Sequence, residues 1–298
     1  MSTDTKPTPA WLLYGSQVLV QVFFGLNYLA AKVLLEEIPP RVWAPMRAGS
    51  AAVLLLLLAR LLGRRFPTGW PTLGRLALFS VLGVVINQLC FAEGLFRTTP
   101  THSSIIMTTI PVGTLLVAVL LRRERAGPWK LLSIAVGYAG VLLVIRPTGA
   151  ALSQPMLVGD VLTLVNALSY SVFLVVSKRL MGRIDWLAGT AVLFVCGTLG
   201  LLVPGSTALV AFDPSVVSAQ SWGLALFIVV FPTAGAYLLI LWALAKVDSS
   251  IVAFFIYLQP LIATSLSVLL FGERLELPVV AGAALIFLAV FLALRPQR

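Results

Sequence analysis

The side chains in this sequence that could do chemistry are few, and most are neutral. The single histidine is His102, and the two cysteines, Cys90 and Cys196, each lie inside an apolar run. No Cys/His cluster has ligand spacing, so no metal site and no cofactor is expected. The sequence has no nucleophile elbow, no HExxH pair and no P-loop, which argues against an enzyme and against work driven by ATP. What remains is a set of amides and aromatic side chains set in hydrocarbon-rich sequence. They are Asn27, the pair Asn87 and Gln88, Asn166 with Tyr170 one helical turn on, Gln259, and the aromatics Tyr237, Trp242 and Tyr257. A carboxamide offers two donors and an acceptor, so these residues are candidates for binding a polar small molecule. The plainer uses of the same residues are bonding between neighbouring helices and core packing.

Two titratable groups join them. Glu93 lies near the end of an apolar run, where it could couple a proton or balance an amine; its alternative is an ion pair with Arg97 four residues on. His102 could sense pH, as histidines do, which makes it a second candidate for proton coupling, against a hydrated position at the outer surface. Thr101, Ser103, Thr108 and Thr109 make its segment polar, but such hydroxyls can bond back to their own helix. Pro111 and Pro260 stand in the middle of apolar runs. Each removes a backbone hydrogen bond, so each predicts a kink that could widen a cavity.

The elements that must position these groups follow from composition. Of 298 residues, 59% are hydrophobic and 11% charged, and the mean hydropathy is +1.02. Too little polar surface is available to cover a water-soluble globule, so the solvent must be lipid. The net charge of +10 is dispersed in short clusters between apolar runs. That is the pattern of loops near anionic lipid and not of a nucleic-acid-binding face. A helix needs about 20 apolar residues to cross a bilayer. Ten such runs are found, near 11–35, 42–62, 73–93, 101–121, 129–146, 157–180, 187–206, 222–243, 251–271 and 277–294. The expected fold is an all-α integral membrane protein with ten transmembrane helices. Residues 1–10 read as a cytoplasmic tail, and the first run is too long for a signal-peptide core. With that tail inside, fifteen of the 21 Lys and Arg fall on the inner side and six on the outer: Lys32, Arg41, Arg47, Arg97, Arg146 and Arg274. The asymmetry places both termini in the cytoplasm.

The chain also repeats itself. Shifted by 149 positions, residues 91–147 lie on 240–296 without a gap: Pro111 falls on Pro260, Glu124-Arg125 on Glu273-Arg274, and Arg146-Pro147 on Arg295-Pro296. Leu29 to Lys32 likewise resembles Val175 to Lys178. Two five-helix units result, over 11–147 and 155–296. Five is odd, so the second unit enters the membrane upside down. Inverted repeats of this kind support carriers, because exchange of the two halves' conformations gives inward-open and outward-open states with a site near the midplane.

These residues resemble a known family. Phe24-Gly25-Leu26-Asn27 in the first run, Arg47 opening the second, Glu93-Gly94-Leu95-Phe96-Arg97-Thr98-Thr99 with Ser103-Ser104, Leu258-Gln259-Pro260, and Phe271-Gly272-Glu273-Arg274 are similar to the drug/metabolite transporter superfamily of EamA type. Arg122-Arg123 before Glu124 departs from the family's usual apolar pair and glycine. The resemblance implies a ten-helix carrier of the bacterial inner membrane, commonly an exporter of amino acids or related metabolites. Its partners would be a small-molecule substrate, membrane lipid and, through Glu93 or His102, a proton as counter-ion. The alternatives are a channel and a membrane scaffold that transports nothing. Neither the oligomeric state nor the substrate is legible in the sequence.

Overall fold

The computed structural model describes residues 9–122, 127–145, 154–247 and 249–293. These residues form helices and short connections, with no strand among them. Helix α1 (Ala10–Glu37) stops where Ile38 turns extended ahead of Pro39. Helix α2 (Pro40–Leu61) begins on a proline, whose missing N–H is of no consequence in a first turn. Next, α3 (Trp70–Ser80) and α4 (Asn87–Arg97) are joined by a π-helical turn, Val81–Ile86, into one continuous rod. A second rod contains α5 (Pro100–Met107) and α6 (Ile110–Leu120), separated at Thr108 and Thr109. Then follow α7 (Pro128–Ile145), α8 (Gln154–Met181) and α9 (Trp186–Ala211). The start of α9 is capped by Asp185, whose carboxylate accepts from the N–H groups of Leu187 and Ala188 at 3.0 Å each. Helices α10 (Ala219–Ile228) and α11 (Ala236–Leu244) flank another π-helical turn, Val229–Gly235. Finally α12 (Ser249–Phe254), a 3-10 turn (Phe255–Tyr257), α13 (Leu258–Phe271) and α14 (Leu277–Ala293) complete the described chain.

Seven helical stretches among the described residues are long and apolar enough to cross a membrane: α1, α2, Trp70–Arg97, Pro100–Leu120, α8, α9 and Ala219–Leu244. The other apolar helices, α7, Phe255–Phe271 and α14, are shorter. Leu61, Val203, Val210, Leu269 and Leu277 project outward from the bundle, a surface suited to lipid and not to water. The chain is therefore a multi-pass membrane protein. Of the tail expected over residues 1–10, residues 1–8 lie outside the described residues, as do Glu124, Arg125, Arg146 and the Arg-Pro end at 295–296.

Backbone irregularities repeat with the sequence. Moved by 149 positions, Val81–Ile86 covers 230–235, within the second π-helical turn. The break at Thr108 and Thr109 moves to 257 and 258, at the end of the 3-10 turn. Both kinks lie just ahead of Pro111 and Pro260, so that each proline falls in the first turn of the helix that follows. Packing repeats as well. Helix α7 packs on its counterpart α14, and α2 on its counterpart α9. The pair α4 with α8 is matched by α10 and α11 with α1, and the pair α1 with α13 by α8 with α5 and α6. The two units are thus interleaved, each helix of one lying against helices of the other.

The units also approach closely where α4 meets α8. A Cβ added at Gly159 would lie 2.8 Å from both Gly94 O and Thr98 N, so only glycine allows the two backbones to meet there. One sequence expectation needs correction. Arg47 was counted with the outer charges, but it lies seven residues past the start of α2 and is 4% exposed, roughly 10 Å inside by helix rise.

A polar cavity between the two units

Between the interleaved units lies a cavity of about 50 Å³, a volume on the scale of a few water molecules. Both units line it. Helix α1 contributes Gln21, Phe24, Asn27 and Tyr28, α2 contributes Arg47, and α4 contributes Asn87 and Phe91. From the second unit come Asn166 and Tyr170 on α8, Tyr237 on α11 and Gln259 on α13. Among the described residues, no aspartate or glutamate lines it.

Two hydrogen-bonded chains cross the boundary between the units. In one, the Tyr28 hydroxyl donates to Gln259 Oε1 at 2.9 Å, and Gln259 Nε2 donates to Gln21 Oε1 at 2.6 Å. In the other, Asn87 Nδ2 donates to Asn166 Oδ1 at 2.7 Å. The Tyr237 hydroxyl lies 2.8 Å from Asn87 Oδ1 and 2.7 Å from the Gly83 carbonyl, and its one hydrogen serves either. Gly83 belongs to the first π-helical turn, whose altered register makes a backbone oxygen available to a side chain. Gln88 is buried beside the same Tyr237 hydroxyl.

The second π-helical turn serves Arg47. Thr233 donates its own hydrogen to Ile228 O at 2.7 Å and accepts from Arg47 Nε at 2.5 Å. The guanidinium also lies over the Phe91 ring, 5.7 Å from its centroid. Three buried polar atoms of cavity-lining residues have no hydrogen-bond partner among the described residues: Asn27 Oδ1, Asn166 Nδ2 and the Tyr170 hydroxyl.

The residues singled out from sequence therefore divide. Asn27, Asn87, Asn166, Tyr170, Tyr237 and Gln259 meet at the cavity, with Gln88 directly behind. Trp242 does not; its ring lies under the Lys246 ammonium at 5.1 Å, near the end of α11. Tyr257 also faces elsewhere, packed with Phe287 at 5.9 Å between ring centroids and with Ile105, Ile106 and Ile286. Glu93 lies off the cavity and is held by Arg41 Nε at 3.2 Å and by Arg97, so it has an additional cationic partner. His102 is not a hydrated surface residue. It is buried, with Nδ1 2.9 Å from Asp160 Oδ2, while Thr98 donates to the other oxygen of Asp160.

Asp160 belongs to the second unit and Thr98 and His102 to the first, so this carboxylate bridges the units at one end of the bundle. Glu273 does the same there, accepting from Thr101 at 2.8 Å and from Ser267. Lys32 adds three contacts to the end of α4, donating to the carbonyls of Leu95, Phe96 and Thr98 at 2.9, 3.2 and 2.7 Å. A cation at a helix C-terminus satisfies carbonyls that have no intrahelical donor. Gln21, Tyr28, Arg47 and Asp160 were not among the residues expected to form a site.

Comparison with known proteins agrees with this architecture. The pattern of the EamA-like transporter family matches the chain twice, over residues 10–146 and 157–295. A protein of Archaeoglobus fulgidus named an uncharacterized transporter is 23% identical, over 94% of this chain and 97% of its own length. The uncharacterized transporter YetK of Bacillus subtilis is 25% identical over 93% of this chain and 85% of its own. The uncharacterized inner membrane transporter YedA of Escherichia coli is 23% identical over 89% of this chain and 84% of its own. A solved crystal structure superimposes over 95% of both chains with a TM-score of 0.65 at 17% identity, a likeness of fold alone.

Proposed function

Because the chain belongs to the EamA-like transporter family, we propose that it is a secondary carrier that moves a small metabolite, such as an amino acid, out of the cell by alternating access. The observation that carries this reading is the buried cavity lined by amides from both units, at the seam where inverted halves of a carrier exchange conformations. In this reading ten helices cross the membrane as two inverted repeats. The repeated irregularities at 81–86 and 229–235 and the exchanged helix pairings support the two-fold relation. The Lys and Arg distribution supports cytoplasmic termini, and the relative YedA, named an inner membrane transporter, supports a bacterial inner membrane.

With that orientation, the Asp160 and Glu273 contacts close the outer end of the seam. The carrier is proposed to run on a proton gradient. The His102–Asp160 pair supports that choice over Glu93, since a proton gained or lost there alters a bridge between the units, while Glu93 is already neutralised by two arginines. The test is counterflow in proteoliposomes preloaded with candidate amino acids. Accumulation of labelled substrate against preloaded unlabelled substrate, with no current through an open pore, is expected. Passive equilibration without counterflow would instead make the protein a channel, and no flux of any probe would make it a scaffold.

A further inference from the structure

Among the described residues, Arg47 is a charge without a counter-charge. It is 4% exposed, deep in α2, and lines the cavity. Its guanidinium has five N–H donors, yet its hydrogen-bond partner among the described residues is one neutral hydroxyl, Thr233. The other stabilising contact is the Phe91 ring. Three carboxylates among the described residues are engaged elsewhere: Glu93 on Arg41 and Arg97, Asp160 on His102 and Thr98, Glu273 on Thr101 and Ser267. A buried cation left in this condition is unfavourable, and a protein normally surrounds it with an anion.

The unpartnered atoms nearby narrow what would complete it. Asn166 Nδ2 offers a donor, Asn27 Oδ1 needs a donor, and the Tyr170 hydroxyl can take either role. Phe24, Phe91 and Ile240 provide an apolar wall. An anion with an N–H or O–H on the adjacent carbon and a small hydrocarbon body satisfies all of these together. An amine without a carboxylate satisfies none of the donors and would meet the guanidinium as a like charge. Building on the carrier reading, we infer that Arg47 is the counter-charge for the substrate's carboxylate, so the substrate is a small organic acid bearing an α-amino or α-hydroxy group. Arginine suits this role better than lysine, because its planar fork matches a carboxylate in two parallel bonds.

The test uses purified full-length protein in nanodiscs and three probe series, built on the side chains of alanine, leucine and phenylalanine. Each series contains the amino acid, the α-hydroxy acid, the carboxamide and the simple amine. Binding is read by calorimetry and transport by counterflow. In at least one series both acids are expected to bind, and the carboxamide and amine to bind about 30-fold more weakly or not at all, equivalent to about 2 kcal/mol at 1.4 kcal/mol per decade. Arg47→Gln should elute as a monodisperse protein and lose acid binding by the same factor, and Arg47→Lys should fall between. The wild-type series decides the question even if Arg47→Gln fails to fold. The assignment is overturned if amines or carboxamides bind as well as acids, if no acid binds, or if Arg47→Gln binds acids with unchanged affinity. Acid binding without counterflow would leave Arg47's role standing and remove the carrier reading. Counterflow of amines would do the reverse.

Discussion

Replacing Gly159 by alanine adds one methyl group where α4 and α8 touch. That methyl would lie 2.8 Å from Gly94 O, 2.8 Å from Thr98 N and 2.9 Å from Arg97 Cβ, where ordinary contact begins at 3.4 Å. Two of these atoms are backbone, so no side chain can turn aside and the helices must part by roughly 0.6 Å. Overpacking of a closed contact costs about 1–3 kcal/mol. Asp160 follows directly in sequence, and its bond to His102 Nδ1 at 2.9 Å would stretch by a similar amount, to the limit of hydrogen bonding. Loss of one such bond adds about 0.5–1.5 kcal/mol. The expected total is about 2–4 kcal/mol, seen as a lower midpoint in thermal unfolding of detergent-purified protein. Gly15→Ala is the control. Nothing lies within 4 Å of the added atom, so helix propensity alone acts and the variant should equal the parent or gain up to about 1 kcal/mol. If Gly159→Ala and Gly15→Ala unfold at the same temperature, the close crossing of α4 and α8 is not real, and the reasoning that joins the units through it fails.

Asp160→Ala leaves the Thr98 hydroxyl and His102 without their buried acceptor, so a loss of about 2–4 kcal/mol is expected in the same unfolding assay; stability equal to the parent's would show that the bridge contributes nothing. Tyr237→Phe removes the hydroxyl shared by Gly83 O and Asn87, and about 1 kcal/mol should be lost, between the mean for a hydrogen bond in a membrane and the penalty of a bare acceptor. Asn27→Ala, Asn166→Ala and Gln259→Ala should each reduce counterflow while the protein still elutes as a folded species. Normal counterflow by all three would place the transport path away from this cavity.

Much of this arrangement was legible in the sequence, and the exceptions have physical causes. Asn166 and Tyr170 are four residues apart and share a helix face, so one prediction covered both. Tyr237 and Trp242 are five apart, which at about 100° per residue turns them roughly 140° from each other, so α11 cannot present both to one cavity. Tyr257 and Gln259 are separated by about 200° on a helix and also by the end of a 3-10 turn. Gln21 and Tyr28 had an available signal: seven residues apart, they fall on one stripe of α1 with Phe24 between them. Arg47 was read as a boundary charge, because counting Lys and Arg by loop does not separate an arginine at a helix end from one two turns inside. The partner of His102 could not be read at all. Asp160 lies 58 positions away in the other unit, and only the packing of α5 against α8 brings it near. The π-helical turn at Val81–Ile86 contains no proline and left no mark in the sequence, although Pro232 lies in its counterpart.

The chemistry of the seam bears on how easily it could open. Around the cavity, apart from the bond Arg47 donates to Thr233, the units are joined by four neutral bonds between side chains: Tyr28 to Gln259, Gln259 to Gln21, Tyr237 to Asn87 and Asn87 to Asn166. In a membrane such bonds average about 0.6 kcal/mol each, so the four together hold the seam by roughly 2–3 kcal/mol. Four ion pairs in their place would resist separation by about 3–5 kcal/mol apiece, since breaking each would strand a charge in hydrocarbon. A gap of 2–3 kcal/mol between two conformations is inverted by a ligand that prefers one of them about 100-fold or more, within reach of a single well-placed charged contact. Among the described residues Arg47 is the only charge lining the cavity, and it has no charged partner to lose when the halves move. A carboxylate placed on it would strengthen whichever state brings the two units closest, and its departure would return the seam to bonds weak enough to break.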